Sequence, residues 1–179
     1  MEGGGCRDCS RYPRSFGIAR AAAPYEPGGG VATAIQRFKF GGQRNLARDL
    51  GALLAARYTL DRSAVLVPVP LHKARLRERG FNQAALLAQA LAAHTGQRVL
   101  LHVMERRVAT APQSLLDATR RGTNLEAAFS VRGGASVEGR DLVLIDDVLT
   151  TGCTADACAT ALLAAGAARV DVYTVARTP

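Results

Sequence analysis

Apolar residues along this chain fall into short blocks of two kinds. Residues 31–40, V-A-T-A-I-Q-R-F-K-F, carry them at helical intervals, and Gly41-Gly42 breaks the run. Leu46, Leu50, Leu53 and Leu54 then share one face at i, i+4, i+7 and i+8, which predicts a second helix with Asn45 placed to cap it. A third helix is predicted from Asn82 toward Gly96, and a fourth, rich in small residues, from Thr154 to Ala165 with Gly166 as its stop. Between these lie brief apolar runs, read as buried strands: 64–67, halted by Pro68-Val69-Pro70; 99–103; 142–145; and 170–176. Strands that alternate with helices predict an α/β fold with an open, mostly parallel sheet flanked by helices. The first 30 residues, rich in Gly and Pro, are set apart as an N-terminal segment, and residues 31–179 as the main domain; Gly28-Gly29-Gly30 reads as a flexible turn.

Composition narrows this picture. A chain of 179 residues that is 48% hydrophobic suits one domain with a sizeable core. It contains no apolar run of about 18 residues and no basic-then-apolar leader, so the expectation is a cytoplasmic protein without membrane insertion. The net charge of +8 is concentrated in the first 110 residues, which fits a polyanion or a polyphosphate as partner. Cys6, Cys9, Cys153 and Cys158 make no disulfide framework in a chain this long. Cys6 and Cys9 form a C-x-x-C pair, half of a tetrahedral zinc site, and no second pair follows. A redox pair, a truncated zinc ribbon, a site completed by another chain and two plain cysteines all remain open. Cys153 and Cys158 read as small buried residues, although a helix N-terminus at Cys153 would also favour a reactive thiol.

The chemistry gathers in residues 142–154, L-V-L-I-D-D-V-L-T-T-G-C-T. A strand feeding a Gly turn at a helix N-terminus offers unpaired amides and the positive end of the helix dipole to an anion. The hydroxyls of Thr150, Thr151 and Thr154 add donors. Asp146 and Asp147 repel phosphate, so they are expected to hold sugar hydroxyls or a magnesium ion. No Gly-Lys-Ser/Thr sequence follows any glycine, which excludes a Walker A loop. At the end of the 64–67 strand stand Lys73, Arg75, Arg77 and Arg79, then Gly80 and Asn82. In a parallel sheet this segment reaches the same edge as Asp146. Its arginines offer bidentate donors to a pyrophosphate, and Gly80 would let backbone approach the ligand.

The 142–154 string closely resembles the phosphoribosyl-pyrophosphate (PRPP) signature of type I phosphoribosyltransferases. The resemblance implies that Asp146 and Asp147 hold the ribose hydroxyls and that Thr150, Thr151, Gly152, Cys153 and Thr154 cradle the 5′-phosphate. Together with V-P-V-P-L-H-x-x-R-x-R-x-R-G-F-N-Q over 67–83, and Gln113, Ser114, Leu115, Arg121, Asn124, Ala128 and Phe129 beyond it, the chain resembles the ComF family of DNA-uptake proteins. That resemblance implies a type I phosphoribosyltransferase-like fold, a mobile flap over roughly 104–124, and PRPP or a related ribose phosphate with Mg2+ as ligands. It also implies single-stranded DNA and a DNA-uptake helicase as partners, with a homodimer as the common assembly of the fold. Three functions follow: a phosphoribosyl transfer to or from a nitrogenous base; a non-catalytic DNA- and helicase-binding accessory; or a nucleobase salvage enzyme. The family commonly carries a four-cysteine zinc ribbon at its N-terminus, of which only Cys6 and Cys9 could be part here.

Overall fold

In a computed structural model, residues 14–107, 128–133 and 137–179 are described. Cys6, Cys9, Gln113, Ser114, Leu115, Arg121, Asn124 and most of the expected flap lie outside these residues. The elements in chain order are β1 (Ala19–Pro24), α1 (Gly30–Phe40), α2 (Leu46–Ala56), β2 (Val65–Pro68), α3 (Lys73–Arg79) and α4 (Gln83–Thr95). They continue with β3 (Met104–Arg106), β4 (Phe129–Val131), β5 (Asp141–Leu149), α5 (Cys153–Ala164) and β6 (Arg169–Arg177). The main sheet is parallel throughout and ordered β1-β6-β5-β2, while β3 and β4 pair antiparallel as a separate ribbon. The expected α/β sheet flanked by helices is therefore present.

The centre of the sheet is apolar on both sides because both sides are covered. Along β5, Leu142 and Leu144 face a layer formed by α5 and the β3–β4 ribbon, with Cys158, Leu162, Met104 and Phe129. Val143 and Ile145 face the opposite layer, where Ile35 and Phe38 of α1, Leu54 of α2 and Leu87 and Leu91 of α4 pack. Tyr173 of β6 is wholly buried in that second layer, stacks edge-on against Tyr58 with centroids 5.1 Å apart, and donates its hydroxyl to the Leu54 carbonyl at 2.8 Å.

Helices α2 and α4 touch at Gly51. A Cβ there would overlap the Ala90 methyl and stand 3.2 Å from the Ala90 carbonyl carbon. Ala is worth up to about 1 kcal/mol over Gly in a helix interior, but overpacking typically costs about 1–3 kcal/mol. Here the obstacle is another helix's backbone, so Gly51→Ala is expected to lower stability by about 2 kcal/mol, read as a reduced urea midpoint at unchanged m-value. A midpoint equal to or above that of the parent chain would show that the helices separate freely.

Several elements differ from the pattern-based expectations. Residues 19–24, inside the segment set apart from the domain, form the edge strand β1, in register with β6 from Ala19↔Val172 to Pro24↔Arg177. The sheet thus begins well before residue 31. The strand expected over 99–103 is reduced to one parallel bridge, Leu66↔Val99, held by Leu66 N–H to Arg98 O and Leu100 N–H to Leu66 O; a turn follows at 101–102. The basic run after β2, for which the pattern predicted no element, is the helix α3. Its N-terminus is capped by His72 Nδ1, which accepts from Ala74 N–H at 3.2 Å, and its C-terminus by Gly80 at φ 79°. None of its residues is buried.

Candidate functional site

β5 continues past the predicted end at Ile145 and carries Asp146 and Asp147 within the strand. Successive side chains of a strand point to opposite faces. The two neighbouring carboxylates are thereby sent to different sides of the sheet. Asp146 looks toward α5, lies opposite Thr174 of β6, and lines a cavity of about 50 Å3 with Thr150, Thr151, Gly152, Cys153 and Thr154. That space is several times what one water needs. Asp147 looks toward α1, where its Oδ2 meets Lys39 Nζ at 2.8 Å with the carboxylate side chain only 4% exposed. The Asp147 N–H also donates to Asp146 Oδ1 at 2.9 Å.

The loop after β5 turns on Gly152, whose φ of 76° favours glycine. Gly152 is the N-cap of α5, no side chain caps the helix, and Thr154 lies within its first turn. The helix expected to start at Thr154 thus starts one residue earlier behind a glycine cap, and its first amides have no side-chain cap. Cys153 opens the helix partly exposed, and Cys158 is fully buried. Burial pushes the Cys158 thiol well up, with Asp146 adding to the rise and Arg106 opposing it. This is an inert, packed thiol. The Asp146 carboxyl is pushed up to about 7, chiefly by desolvation and then by the adjacent Asp147 charge, with Lys39 drawing it back. If a magnesium ion entered with phosphates, Asp146 is the carboxylate lining this cavity that would hold it. Among the described residues no group of three or more His, Cys, Asp or Glu could hold a metal by itself.

The predicted cationic residues divide by role. Arg75 and Arg77 are exposed on α3, with Arg75 paired to Glu78 at 3.0 Å. Arg79 turns inward; partial burial lowers its guanidinium, and the charges of Asp147 and Asp146 oppose that shift. It donates to Gln83 Oε1 at 2.6 Å and lies 5.3 Å from the Phe40 ring centroid. Gly80 serves as the left-handed cap of α3, and its carbonyl accepts from Arg44 Nη2 at 3.1 Å. Asn82 uses both ends of its amide on the fold: Oδ1 accepts from Ala84 N–H and Nδ2 donates to the Val69 carbonyl. Lys73 and Asn82 also border a second cavity of about 300 Å3 with Leu71, Leu76, Met104 and Arg106.

Sequence reasoning missed three of these participants. Lys39 lies just ahead of the Gly41-Gly42 break, and nothing local announces Asp147 as its partner. Arg106 ends β3, is largely desolvated, packs over Phe129 at 5.3 Å and lies within electrostatic reach of Asp146. Phe40, 75% exposed on the basic edge, is the third.

A parallel sheet whose central strand delivers an acid to a Gly-turn helix N-terminus defines a phosphoribosyltransferase-type fold. Two solved structures share it at a TM-score of 0.52: the allosteric regulatory enzyme of purine biosynthesis (20% identical) and the glutamine PRPP amidotransferase of B. subtilis complexed with ADP and GMP (21% identical). Each covers 78% of this chain, which spans only 29–30% of theirs, so the likeness concerns the fold alone. No protein-family model matches. The chain is 36% identical to the DNA utilization protein YhgH of Escherichia coli over 97% of its own length and 78% of the relative's. It is 35% identical to competence protein ComFC of Bacillus subtilis, over 96% of this chain and 72% of that protein. It is 36% identical to competence protein F of Haemophilus influenzae, over 96% and 78%. The chain belongs to the ComF family of competence and DNA-utilization proteins. Among the described residues no helix is long and apolar enough to cross a membrane.

Proposed function

We propose that the chain binds PRPP, or a closely related ribose phosphate, at the C-terminal edge of β5 and there supports transfer of the phosphoribosyl group to or from a nitrogenous base. The observation that carries this reading is the meeting of Asp146 with the Thr150–Thr154 turn in one cavity at the N-terminus of α5. The 5′-phosphate would accept from the amides of Gly152, Cys153 and Thr154 and from the threonine hydroxyls. Asp146 would accept from a ribose hydroxyl. Asp147 would contribute through its pair with Lys39, whose ammonium stands at the same strand end. Lys73, Arg79 and Arg106 would balance charge growing on a departing pyrophosphate while the sugar becomes oxocarbenium-like. Magnesium, held by Asp146 and substrate oxygens, would supply charge neutralisation on the diphosphate.

A second reading, binding of single-stranded DNA beside a helicase in DNA uptake, is favoured by one specific feature. Helix α3 stands clear of the core with Lys73, Arg75 and Arg77 exposed, and Phe40 offers an open aromatic face under Arg79. Cationic grooves with stacking aromatics suit single strands. One set of titrations separates the readings. PRPP with Mg2+ at a hundredfold excess over Kd should raise Tm by about 5–10 °C. A salt-sensitive oligonucleotide affinity that collapses when Arg75, Arg77 and Arg79 become Ala, with Tm indifferent to PRPP, would instead favour the DNA reading alone. A panel of free purines and pyrimidines added with PRPP tests for salvage turnover.

A further inference from the structure

Residues 14–17 form a strap over the outer side of the turn that follows β5. Arg14 Nη2 donates to the Thr151 carbonyl at 2.8 Å, and its Nη1 lies 3.6 Å from Asp156 Oδ2. Ser15 N–H donates to Asp156 Oδ1 at 2.7 Å, and the Ser15 and Thr160 hydroxyls are hydrogen-bonded at 2.8 Å. Phe16 is buried against the α5 layer, its ring 3.7 Å from the place a Cβ on Gly152 would take. Gly17 N–H then bonds to the Val170 carbonyl, which ties the strap to β6. Residues 14–17 themselves do not line the Asp146 cavity.

Asp156 explains why such a strap matters. It is an acid in the first turn of α5, the turn whose amides would receive a phosphate. A free carboxylate there would compete for the same positive dipole end and repel the incoming anion. Both of its oxygens are instead engaged from outside, one by the Ser15 amide and one by the Arg14 guanidinium. Arg14 acts a second time on the Thr151–Gly152 peptide. A trans peptide holds C=O and N–H antiparallel, so a Thr151 carbonyl drawn toward the strap turns the Gly152 N–H away from it.

We propose that Arg14 and Ser15 are positioning residues for anion binding at this turn: they neutralise Asp156 and set the Thr151–Gly152 peptide, so that the α5 N-terminus stays open to the ribose 5′-phosphate. This rests on the ribose-phosphate reading. Residues 14–17 thereby belong to the working site. The test is calorimetric titration of PRPP with Mg2+ into the full chain, Arg14→Ala, Asp156→Asn and the double variant, with Tm recorded for each. Arg14→Ala is expected to weaken PRPP binding about fivefold while staying folded, and adding Asp156→Asn to recover most of that loss. Removing the acid makes Arg14's countercharge dispensable, a rescue that a purely architectural Arg14 would not give. Unchanged affinity in Arg14→Ala, or a loss that Asp156→Asn leaves untouched, overturns the proposal while the ribose-phosphate reading stands. A parent chain that itself fails to bind PRPP overturns both, and the two failures are told apart by the parent titration.

Discussion

Lys39→Met should be the most damaging single change at the site, lowering stability by about 3 kcal/mol near pH 8. Lys39 supplies the countercharge to a carboxylate that is only 4% exposed, at 2.8 Å. Taking away one member of a buried pair leaves an ion without water or partner, which typically costs about 3–5 kcal/mol. The lower end applies because the Lys39 side chain is 23% exposed, so some solvent can replace it. For a domain of this size, the loss is a fall in Tm of about 6–12 °C. The double variant Lys39→Met with Asp147→Asn should recover most of it, since neither ion then remains. Thermal unfolding of the four proteins closes the cycle. A single variant within about 0.5 kcal/mol of the parent, the range of ordinary surface substitutions, would show that the pair contributes nothing.

Asp146→Asn is expected to do the reverse to stability and far worse to binding. The Asp146 carboxyl, raised to about 7 by burial and by Asp147, holds its proton more tightly folded than unfolded. Its favourable contribution is therefore complete below about pH 4, shrinks as pH rises toward 7, and is gone above that. The parent chain should lose stability across this window, and Asn, which carries no charge, should flatten the slope. At pH 8 the variant should be more stable by about 1–2 kcal/mol, because Asn Oδ1 can still accept from the Asp147 amide. Binding of PRPP should drop by at least about a hundredfold, as an uncharged amide replaces the acceptor for the sugar. A variant no more stable than the parent at pH 8 would contradict the raised carboxyl. Stabilisation with PRPP affinity retained would remove Asp146 from the binding reading.

How much of this could be read in advance depended on where each element found its partners. Residues 142–145 were legible because a strand covered on both faces must be apolar without interruption. The turn after β5 was legible because acids, threonines and a glycine in that order have few structural uses. β1 was not: Ala-Arg-Ala-Ala-Ala-Pro has no branched or aromatic residue, and only pairing with β6 makes it a strand. α3 was hidden for the opposite reason. A helix with no buried face has no apolar period to display, although its residues are good helix formers between a capping His72 and Gly80. Residues 99–103 misled because their apolar side chains pack around a turn, and apolarity alone does not distinguish a turn against a core from a strand. The partnership of Lys39 with Asp147 joins residues more than a hundred positions apart, a distance that no local pattern spans.

The sending of Asp146 and Asp147 to opposite faces of β5 has a consequence for the fidelity of folding. A slip of one residue in the pairing of β5 would exchange the two carboxylates, putting Asp146 beside Lys39 and Asp147 beside the turn. The same slip would swap Leu142 and Leu144 with Val143 and Ile145 between two layers of different shape. A misaligned chain would thus offer Lys39 an acid again but forfeit the packing of both layers. Any molecule that seats Asp146 at the turn with both layers packed has, by that fact, already proofread its own central strand.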